Sequence, residues 1–581
     1  MNNSRTIGTS QSPDLTTFNI LIEGEALSAI YQVKNIMVEK EVNRIPFAQL
    51  VFFDGEASAQ DFNLSNEELL IPGKKIEITA GYHNDEASIF KGVIIKQSIK
   101  VRENTSVLLV ECRDEAVKMT LGRKSGYFYD STDSDIIEQI ISKNGLESDV
   151  ETTSFTHNEL VQYRASDWDF IMTRAQANGK ICVVENGKLV VSKPNVTQEP
   201  VETVAFGASL LAFDGEMDAR NQYNTITSYG WSPSEGAIVE TEANNPNITL
   251  NGNISTSDLA DVFGIENLEL KHGGSYATTQ LQEWSDAKAL FQQLSKIRGR
   301  VKFQGIPSVK PNTILKLEGV GDRFSGNIFV NAVRHEIANG NWTVDAEFGM
   351  NPTWFSETYE INDLPAAGLL PAINGLQIGV VSQLEEDPEG EDRILINMPI
   401  INKDEQGIWA RVASLDAGAD RGAFFRPEIG DEVIVGFVND DPNHAVVLGM
   451  LHSSVRPSPI SATDDNHEKG FVTRSELKFL FDDEKKSITL ETPAGKKIVI
   501  DEDEESILIE DENSNKITID SDGITLDSGK DINIKASGDI TLEGTNVSII
   551  ANAEFKAEGS AGAEVSTSAI AVLKGSLVQI N

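Results

Sequence analysis

The stretch that decides the fold contains the triplets Ile488-Thr-Leu490, Ile498-Val-Ile500, Ile507-Leu-Ile509 and Ile517-Thr-Ile519. The same apolar–polar–apolar pattern recurs every seven to ten residues from Ser487 onward, and Asp, Gly, Asn or Ser separates the units. Alternation with a period of two indicates half-buried strands, and a fixed repeat is typical of a solenoid or a fibre. Strands this short cannot bury their own apolar rows, so the rows must stack on each other or on other chains.

We therefore predict that the outer residues of the triplets form the core of a β rod. They are Ile488, Leu490, Ile498, Ile500, Ile507, Ile509, Ile517, Ile519, Ile524, Leu526, Ile532, Ile534, Ile540, Leu542, Val547 and Ile549. Beyond them the pattern degenerates into strands rich in Ala and Ser, and the small residues of 551–571 suit a narrowing prism.

The composition limits the classes of partner. The chain has 581 residues and a formal net charge of −41, which disfavours binding to nucleic acid or to anionic membranes because both would repel it. No apolar run is long enough for a membrane-spanning helix, and residues 1–8 lack the apolar segment of a signal peptide. Cys112 and Cys182 lie in apolar strand-like contexts, which predicts buried free thiols rather than a disulfide framework.

Three segments with different patterns precede the repeat. Residues 17–363 alternate short apolar strands with Gly and Asp turns, as in a barrel or sandwich. Three helices interrupt them: one begins after an N-cap at Thr132–Asp135, one opens at Ser166-Asp-Trp-Asp169 and ends at Asn178-Gly179, and one covers Ser285–Ile297. Residues 232–257 are predicted to be a surface loop.

Changes in composition set the remaining boundaries. We expect a flexible N-terminus over 1–16, a Pro/Gly-rich linker over 364–375, a small β barrel over 376–452, a second linker over 453–476 and the β rod over 477–581. Within the barrel, Pro427–Asp431 and Asp440–Asn443 are predicted turns rather than metal sites.

Several motifs resemble a known family. Gln162-Tyr-Arg-Ala-Ser-Asp-Trp-Asp-Phe170, with Arg174 and Asn178-Gly179 after it, resembles the hub domain of VgrG-type spike proteins. Segments 319–326 and 333–335 resemble the end of that hub. Four further segments resemble the OB-fold of the same family: Trp409-Ala-Arg411, residues 422–437, Asp440-Asp-Pro442 and Gly449. These matches follow the family's own domain order along nearly the whole chain.

The resemblance implies a mainly β fold: a hub of two barrel-like subdomains with a few helices, an OB-fold barrel, and a C-terminal triple-stranded β-helix in which three chains intertwine. It implies the central spike of a contractile injection machine, either type VI secretion or a phage-tail-like extracellular particle, which caps the inner tube and punctures an envelope. The implied partners are two further copies of the chain, a hexameric inner tube protein, baseplate proteins, a PAAR-type tip protein and effector cargo. Leu577, Val578, Gln579, Ile580 and Asn581 are the expected tip-docking residues.

The sequence carries little sign of catalysis. It has no nucleophile elbow, zinc-protease helix or phosphate-binding loop, and residues 477–581 lack the His-x-His pair by which some family members hold iron. We expect no catalytic residue, cofactor or metal on this chain, no domain inserted after the barrel and no toxin appended to the repeat. His335 is expected to pack or to form a hydrogen bond rather than act as a base.

Two alternatives remain: a β-helical polysaccharide-degrading tailspike and a trimeric adhesin fibre. The carboxylates of 501–505 favour the first, but Phe555 is the only aromatic residue after Asp482, and sugar grooves need aromatic platforms. We expect assembly in the cytoplasm, followed by incorporation into a secreted or extracellular particle. The sequence leaves open the type of machine, the target cell, the effector, and whether a separate tip protein carries metal.

Overall fold

The computed structural model describes residues 15–246 and 248–580, and it is built mainly of β-strands. The chain divides into two compact units, residues 1–372 and residues 373–581. Most of the residues predicted as a flexible N-terminus, 1–14, lie outside the described part.

The first unit contains strands β1 to β21. These are β1 (Thr16–Ile22), β2 (Glu25–Ala26), β3 (Val33–Glu41), β4 (Phe47–Phe53), β5 (Lys75–Tyr82), β6 (Asp85–Arg102), β7 (Thr105–Arg113), β8 (Lys124–Thr132), β9 (Glu147–Val150), β10 (Thr156–Ala165), β11 (Ile181–Glu185), β12 (Lys188–Ser192), β13 (Glu202–Ala205), β14 (Leu210–Met217), β15 (Thr225–Ser232), β16 (Ala237–Glu242), β17 (Asn267–Lys271), β18 (Ile297–Gln304), β19 (Ile314–Glu318), β20 (Gly326–Ala338) and β21 (Asn341–Phe348).

Helices connect these strands. The α-helices are α1 (Asn63–Asn66), α2 (Asp133–Lys143), α3 (Asp167–Ala177), α4 (Thr256–Ala260), α5 (Thr278–Ser295) and α6 (Phe355–Thr358), and short 3-10 turns cover Glu115–Thr120 and Pro365–Gly368.

A thirteen-stranded sheet organises the first unit. Its order is β14-β18-β21-β20-β3-β4-β7-β6-β5-β1-β2, with β19 joined to β20 and β13 joined to β19. One apolar core lies under β1 and β3–β7 and includes the fully buried Leu50 and Phe90, while another lies under β13 and β18–β21 and includes Val301 and Phe303. The pairing of β20 with β3 joins the two halves, so one continuous sheet serves two separate cores.

The predicted helix starts of α2 and α3 are confirmed. Thr132 and Asp135 form a reciprocal capping box at the start of α2, and the Ser166 hydroxyl accepts the N–H of Asp169 at the start of α3. The prediction for α5 was too short, because the helix begins at Thr278 and not at Ser285. The prediction of a loop over 232–257 was also wrong in part, since β16 lies inside it as the hairpin partner of β15.

The motif residues of the first unit form buried polar contacts. Arg174 donates two hydrogen bonds to Asp133, at 2.6 and 2.9 Å, and Asn178 donates to the same carboxylate at 2.9 Å. Burial acts to raise the pKa of Asp133, but the hydrogen bonds and charge of Arg174 hold it below its usual value. Gln162 likewise donates to Asp167 at 3.1 Å. The motif thus ties α2, α3 and β10 together, which is a structural role.

The two cysteines are buried, free and on strands, as predicted. Burial raises the pKa of both thiols far above their usual range, so neither is poised as a nucleophile. His335 lies inside β20 and accepts a hydrogen bond from the Trp342 indole N–H at 3.3 Å, which confirms the packing role.

The second unit begins with a closed five-stranded barrel. Its strands are β22 (Gln377–Gln383), β23 (Ile394–Asn397), β24 (Ile408–Val412), β27 (Glu432–Phe437) and β28 (Ala445–Met450), and the small hairpin β25 (Ala417–Gly418) and β26 (Arg421–Gly422) projects between β24 and β27. The barrel order β22-β23-β24-β28-β27, with β24 parallel to β28, is a Greek-key arrangement of the OB type. The predicted barrel is therefore confirmed. A 3-10 turn at Val438–Asp440 leads into the predicted turn at Asp440–Asn443, where the His444 N–H donates to the Asp441 carbonyl at 2.9 Å.

A seven-stranded sheet follows the barrel. Its strands, paired in sequence order, are β29 (Glu468–Val472), β30 (Lys478–Asp482), β31 (Ser487–Glu491), β32 (Lys497–Asp501), β33 (Ser506–Glu510), β34 (Lys516–Asp520) and β35 (Gly523–Asp527). The predicted linker 453–476 therefore contains a strand, β29. All seven strands pair antiparallel within one chain, and the intertwined β-helix implied by the resemblance is not seen in this segment.

No helix among the described residues is both long enough and apolar enough to cross a membrane.

Burial of His335 predicts an acid-sensitive first unit. Burial, with a smaller contribution from Lys40, lowers the pKa of His335 from 6.5 to about 3. Because the unfolded chain takes up this proton below about pH 6.5 and the folded chain does not, stability falls as pH decreases through that window. One such group contributes at most about 1.4 kcal/mol per pH unit.

We expect His335→Asn, which keeps an acceptor for Trp342, to flatten the fall in unfolding free energy between pH 6.5 and pH 4. Urea titrations followed by tryptophan fluorescence measure this slope. The exposed His272, changed to Gln, is the control and should leave the slope as it is. An unchanged slope in the His335 variant would show that other groups set the acid sensitivity.

Candidate functional site on the C-terminal sheet

The triplet residues of β31–β35 occupy one face of the C-terminal sheet. Because side chains alternate along a strand, Ile488 and Leu490 lie on one face and Ser487, Thr489 and Glu491 lie on the other. The same alternation holds in the next four strands. The ten predicted core residues of β31–β35 are 37–72% exposed in the single chain, which is unusual for aligned isoleucines and leucines.

The strand register aligns these residues into two continuous columns. Cα partners across the strands follow each other without a shift from β30 to β35. The first column is Phe481, Ile488, Ile500, Ile507, Ile519 and Ile524, and the second is Phe479, Leu490, Ile498, Ile509, Ile517 and Leu526. A register slip of one residue would turn every one of them to the other face, so the pattern fixes the pairing.

The opposite face carries a ladder of alternating charges. Along one edge the cross-strand neighbours are Lys478, Glu491, Lys497, Glu510, Lys516 and Asp527. Lys478 and Glu491 are 3.1 Å apart, and Lys497 and Glu510 are 3.2 Å apart. Opposite charges directly across a strand pair stabilise one register and disfavour its neighbours. The centre of this face is mixed, because Leu480, Val499 and Leu508 alternate there with threonines. Its charged edge suits solvent, and the two-column face does not.

A groove of about 1060 Å³ runs along the apolar face. Leu490, Ile498, Ile509, Ile517 and Leu526 form its floor, and Ile532 also lines it. Charged side chains from the edge of the charge ladder also line the groove, among them Glu491, Lys497, Glu510 and Lys516. Its floor is a continuous apolar row, and such rows are rarely left exposed on a monomer.

An aromatic series lies at the first strands of this face. The ring of Phe425, on the barrel segment after β26, stacks on that of Phe471 with centroids 5.0 Å apart. The ring centroids of Phe471 and Phe479 are 6.5 Å apart, and those of Phe479 and Phe481 are 4.8 Å apart. The sequence interpretation missed this feature because Phe471 stands outside the regular repeat. The signal was present in the apolar alternation of Phe479-Leu-Phe481.

The remaining predicted core residues lie beyond Asp527. Residues 528–580 contain no helix or strand, and the triplet residues there are 53–72% exposed. They are Ile532, Ile534, Ile540, Leu542, Val547 and Ile549. The structure thus aligns ten of the sixteen predicted core residues on one face and leaves these six outside any helix or strand.

The predicted tip-docking residues are described only in part. Leu577, Val578, Gln579 and Ile580 are exposed, and Asn581 lies outside the described residues.

Carboxylates in the C-terminal sheet serve turns. The Asp501 carboxylate accepts the backbone N–H of Asp503 at 2.9 Å and that of Glu504 at 3.1 Å, which closes the loop between β32 and β33. Within 15–246 and 248–580, no three His, Cys, Asp or Glu side chains are grouped so that they could hold a metal ion.

Three family models match consecutive parts of the chain. The Alg8 N-terminal domain matches residues 12–339, the type VI secretion system/phage-baseplate injector OB domain matches residues 377–452, and the phage baseplate V C-terminal trimerisation domain matches residues 487–554. The second match coincides with the closed barrel and the third begins at β31.

Curated relatives are similar over shorter lengths. The type VI secretion system spike protein VgrG1b of Pseudomonas aeruginosa is 23% identical over 59% of this chain, and the spike protein VgrG3 of Vibrio cholerae is 28% identical over 18% of it. The actin cross-linking toxin VgrG1 of Vibrio cholerae is 32% identical over 18% of the chain. The chain spans 48% of the length of the first relative and about a tenth of the other two.

Solved structures are similar at low identity. The 43 kDa tail protein of prophage MuSo2 from Shewanella oneidensis has a TM-score of 0.44 at 12% identity, and covers 58% of this chain and 98% of its own. The Francisella PdpA–VgrG complex has a TM-score of 0.37 at 11% identity, with 88% of each chain covered. Both scores lie below 0.5, so membership rests on the family models. The first model matches more than half of the chain, and the chain therefore belongs to the family of the Alg8 N-terminal domain.

Proposed function

We propose that this protein is the central spike of a contractile injection machine and that three copies of it join through their C-terminal sheets. The observation that carries the proposal is the pair of apolar columns on one face of β30–β35, exposed in the single chain. The trimerisation-domain match over 487–554 supports the same region as the site of association.

In the proposed trimer, three sheets turn their apolar columns toward a common axis. The charge-ladder faces then meet solvent, and the open groove of one chain is filled by the other two. Burying an isoleucine or leucine side chain completely contributes about 1.5–3 kcal/mol, so ten half-exposed positions in each chain supply a large driving force. Closure around the axis also covers a face that would otherwise invite aggregation.

Residues 528–580 are proposed to wind with the same segments of the other two chains. Their six remaining core residues have no strand partner in their own chain, and a triple-stranded β-helix would supply partners from neighbouring chains. With strands about 4.8 Å apart, about a dozen strands per chain would give a needle of roughly 50–60 Å.

The first unit is proposed to cap the hexameric inner tube and to contact baseplate proteins. Its single sheet serves two separate apolar cores, so three chains would present six core-bearing lobes in a ring. Six similar lobes from three chains would allow a threefold spike to contact each subunit of a sixfold tube. Assembly would take place in the cytoplasm, before incorporation into a secreted or extracellular particle.

The far end of the needle is proposed to bind a PAAR-type tip protein. Leu577, Val578 and Ile580 are exposed apolar residues that could form the docking surface together with Gln579 and Asn581. Effector cargo would travel with the spike or with its tip.

The proposed function is mechanical and requires no catalytic residue in this chain. The sheet transmits load through backbone hydrogen bonds between successive strands. The Asp501 carboxylate is engaged in a turn, and both thiols are buried.

Replacement of Ile524 and Leu526 by Asp should abolish the trimer. Each chain would place two carboxylates on the axis without partners, at a cost of several kcal/mol for each buried charge. Light scattering of the wild type should give about 190 kDa, three times the chain mass of 63.4 kDa, and the double variant should give a smaller species.

The matched control is Thr525→Asp, on the same strand but on the opposite face. It should keep the wild-type mass. A stable trimer in the double variant would show that these columns do not face the axis.

A chain truncated after Ser453 should fold but associate weakly. It keeps the first unit and the closed barrel and lacks both apolar columns. Light scattering should give a mass that falls on dilution, whereas the full-length trimer should resist dilution. A robust trimer from the truncated chain would mean that the main clamp lies before residue 454.

A further inference from the structure

A second cavity lies in the first unit, remote in sequence from the apolar columns. Its volume is about 330 Å³, which suits one large side chain together with a small polar group. Apolar side chains of Leu268, Leu270, Trp284 and Trp354 form much of its wall. Its polar lining includes Lys288 and Gln292 together with Asn221, Ser356 and Glu357.

The cavity adjoins an open sheet edge. The three-stranded sheet has the order β16-β15-β17, so β17 is paired on one side only. Helix α5 packs over β15 and β16 but makes little contact with β17, which leaves Leu268 and Leu270 to line the cavity. An open edge next to an apolar cavity is the arrangement that accepts an added strand.

Lys288 supplies a cation at this cavity. Its ammonium lies 5.4 Å from the ring centre of Trp354 and 3.4 Å from the carbonyl oxygen of Pro352. Burial lowers the pKa of Lys288, and the charge of Glu357 opposes this shift more weakly. Among the described residues, no carboxylate oxygen lies within ion-pair distance of this ammonium. A half-buried cation of this kind gains from an incoming anion.

Gln292 supplies an acceptor without a donor. Its side-chain amide N–H donates to the carbonyl of Tyr223 at 2.8 Å, and this contact fixes the orientation of the amide because the reverse would set two oxygens together. The side-chain oxygen is buried and has no hydrogen-bond partner, and the residue is 6% exposed. Buried polar atoms are normally paired, so this oxygen marks a site for an N–H group.

We propose that this cavity captures the C-terminal end of a partner polypeptide whose last residue is large and apolar. The terminal carboxylate lies against Lys288, the last side chain packs against Trp284 and Trp354, and the last backbone N–H donates to Gln292. The preceding residues extend along the open edge of β17. A single chain end satisfies the cation, the acceptor, the apolar walls and the open edge together.

The test uses the full-length protein and a synthetic peptide, Val-Thr-Val-Thr-Phe, with fluorescein at its N-terminus and a free C-terminal carboxylate. Fluorescence anisotropy should show saturable binding. The same peptide with a C-terminal amide should bind at least tenfold more weakly, because it cannot pair with Lys288. Equal binding of the two peptides, or no binding of the acid peptide at millimolar concentration, would overturn the proposal.

Lys288→Met keeps the length of the side chain and removes its charge. This substitution should weaken binding of the peptide with the free carboxylate at least tenfold and leave binding of the amide peptide unchanged. The control is Lys316→Met, at a half-exposed lysine on β19 that pairs with Glu318, and it should bind as the wild type does. If 3-phenylpropionate displaces the peptide at equal concentration, the cavity takes a small acid and not a chain end, and the proposal fails.

These results stand apart from the proposed needle. If the Lys288→Met protein has the mass of the trimer but no longer binds the peptide with the free carboxylate, the result supports this inference. A trimer that forms while neither peptide binds would overturn the inference and leave the spike function intact.

Discussion

An apolar face that its own chain cannot cover is the constraint on which the rest of this structure depends. Strands β30–β35 place two columns of isoleucine, leucine and phenylalanine on one side of a sheet, while lysines and acids alternate on the other side. The ten triplet residues of β31–β35 on that face are 37–72% exposed in the single chain. Water contact with so many aligned branched side chains is costly, and association of identical faces removes it. In the proposed trimer, this association would give the chain its threefold symmetry.

The first unit shows a different use of sheet geometry. Its thirteen strands form one continuous sheet, yet its buried residues form two separate cores, and both cores include residues of β20 and β21. The polar side chains of the motif Gln162–Asn178 are engaged in hydrogen bonds. Arg174 and Asn178 donate to Asp133, and Gln162 donates to Asp167. The residues on which the resemblance rests therefore stabilise the packing of α2, α3 and β10.

Much of this architecture could be predicted because its signals are local. Period-two triplets, N-caps at Thr132 and Ser166, and the turns of the barrel each depend on a few neighbouring residues. The cavity beside β17 could not be predicted, since Leu270, Lys288 and Trp354 come from three distant segments. Strand β29 was missed because it precedes the regular repeat, and the start of α5 was missed because Thr278–Trp284 lacks a clear apolar stripe.

The order of strands in the C-terminal sheet has a consequence for how the protein reaches its assembled state. Every strand from β29 to β35 pairs with its neighbour in sequence, so the contacts are of low contact order and the loops that close them are short. Such sheets form quickly and do not wait for distant parts of the chain. Residues 528–580 form no helix or strand in the single chain. In the proposed trimer, their ordering would be a bimolecular or termolecular event that depends on protein concentration. Synthesis of several chains close together would therefore speed the last step of maturation and not the first.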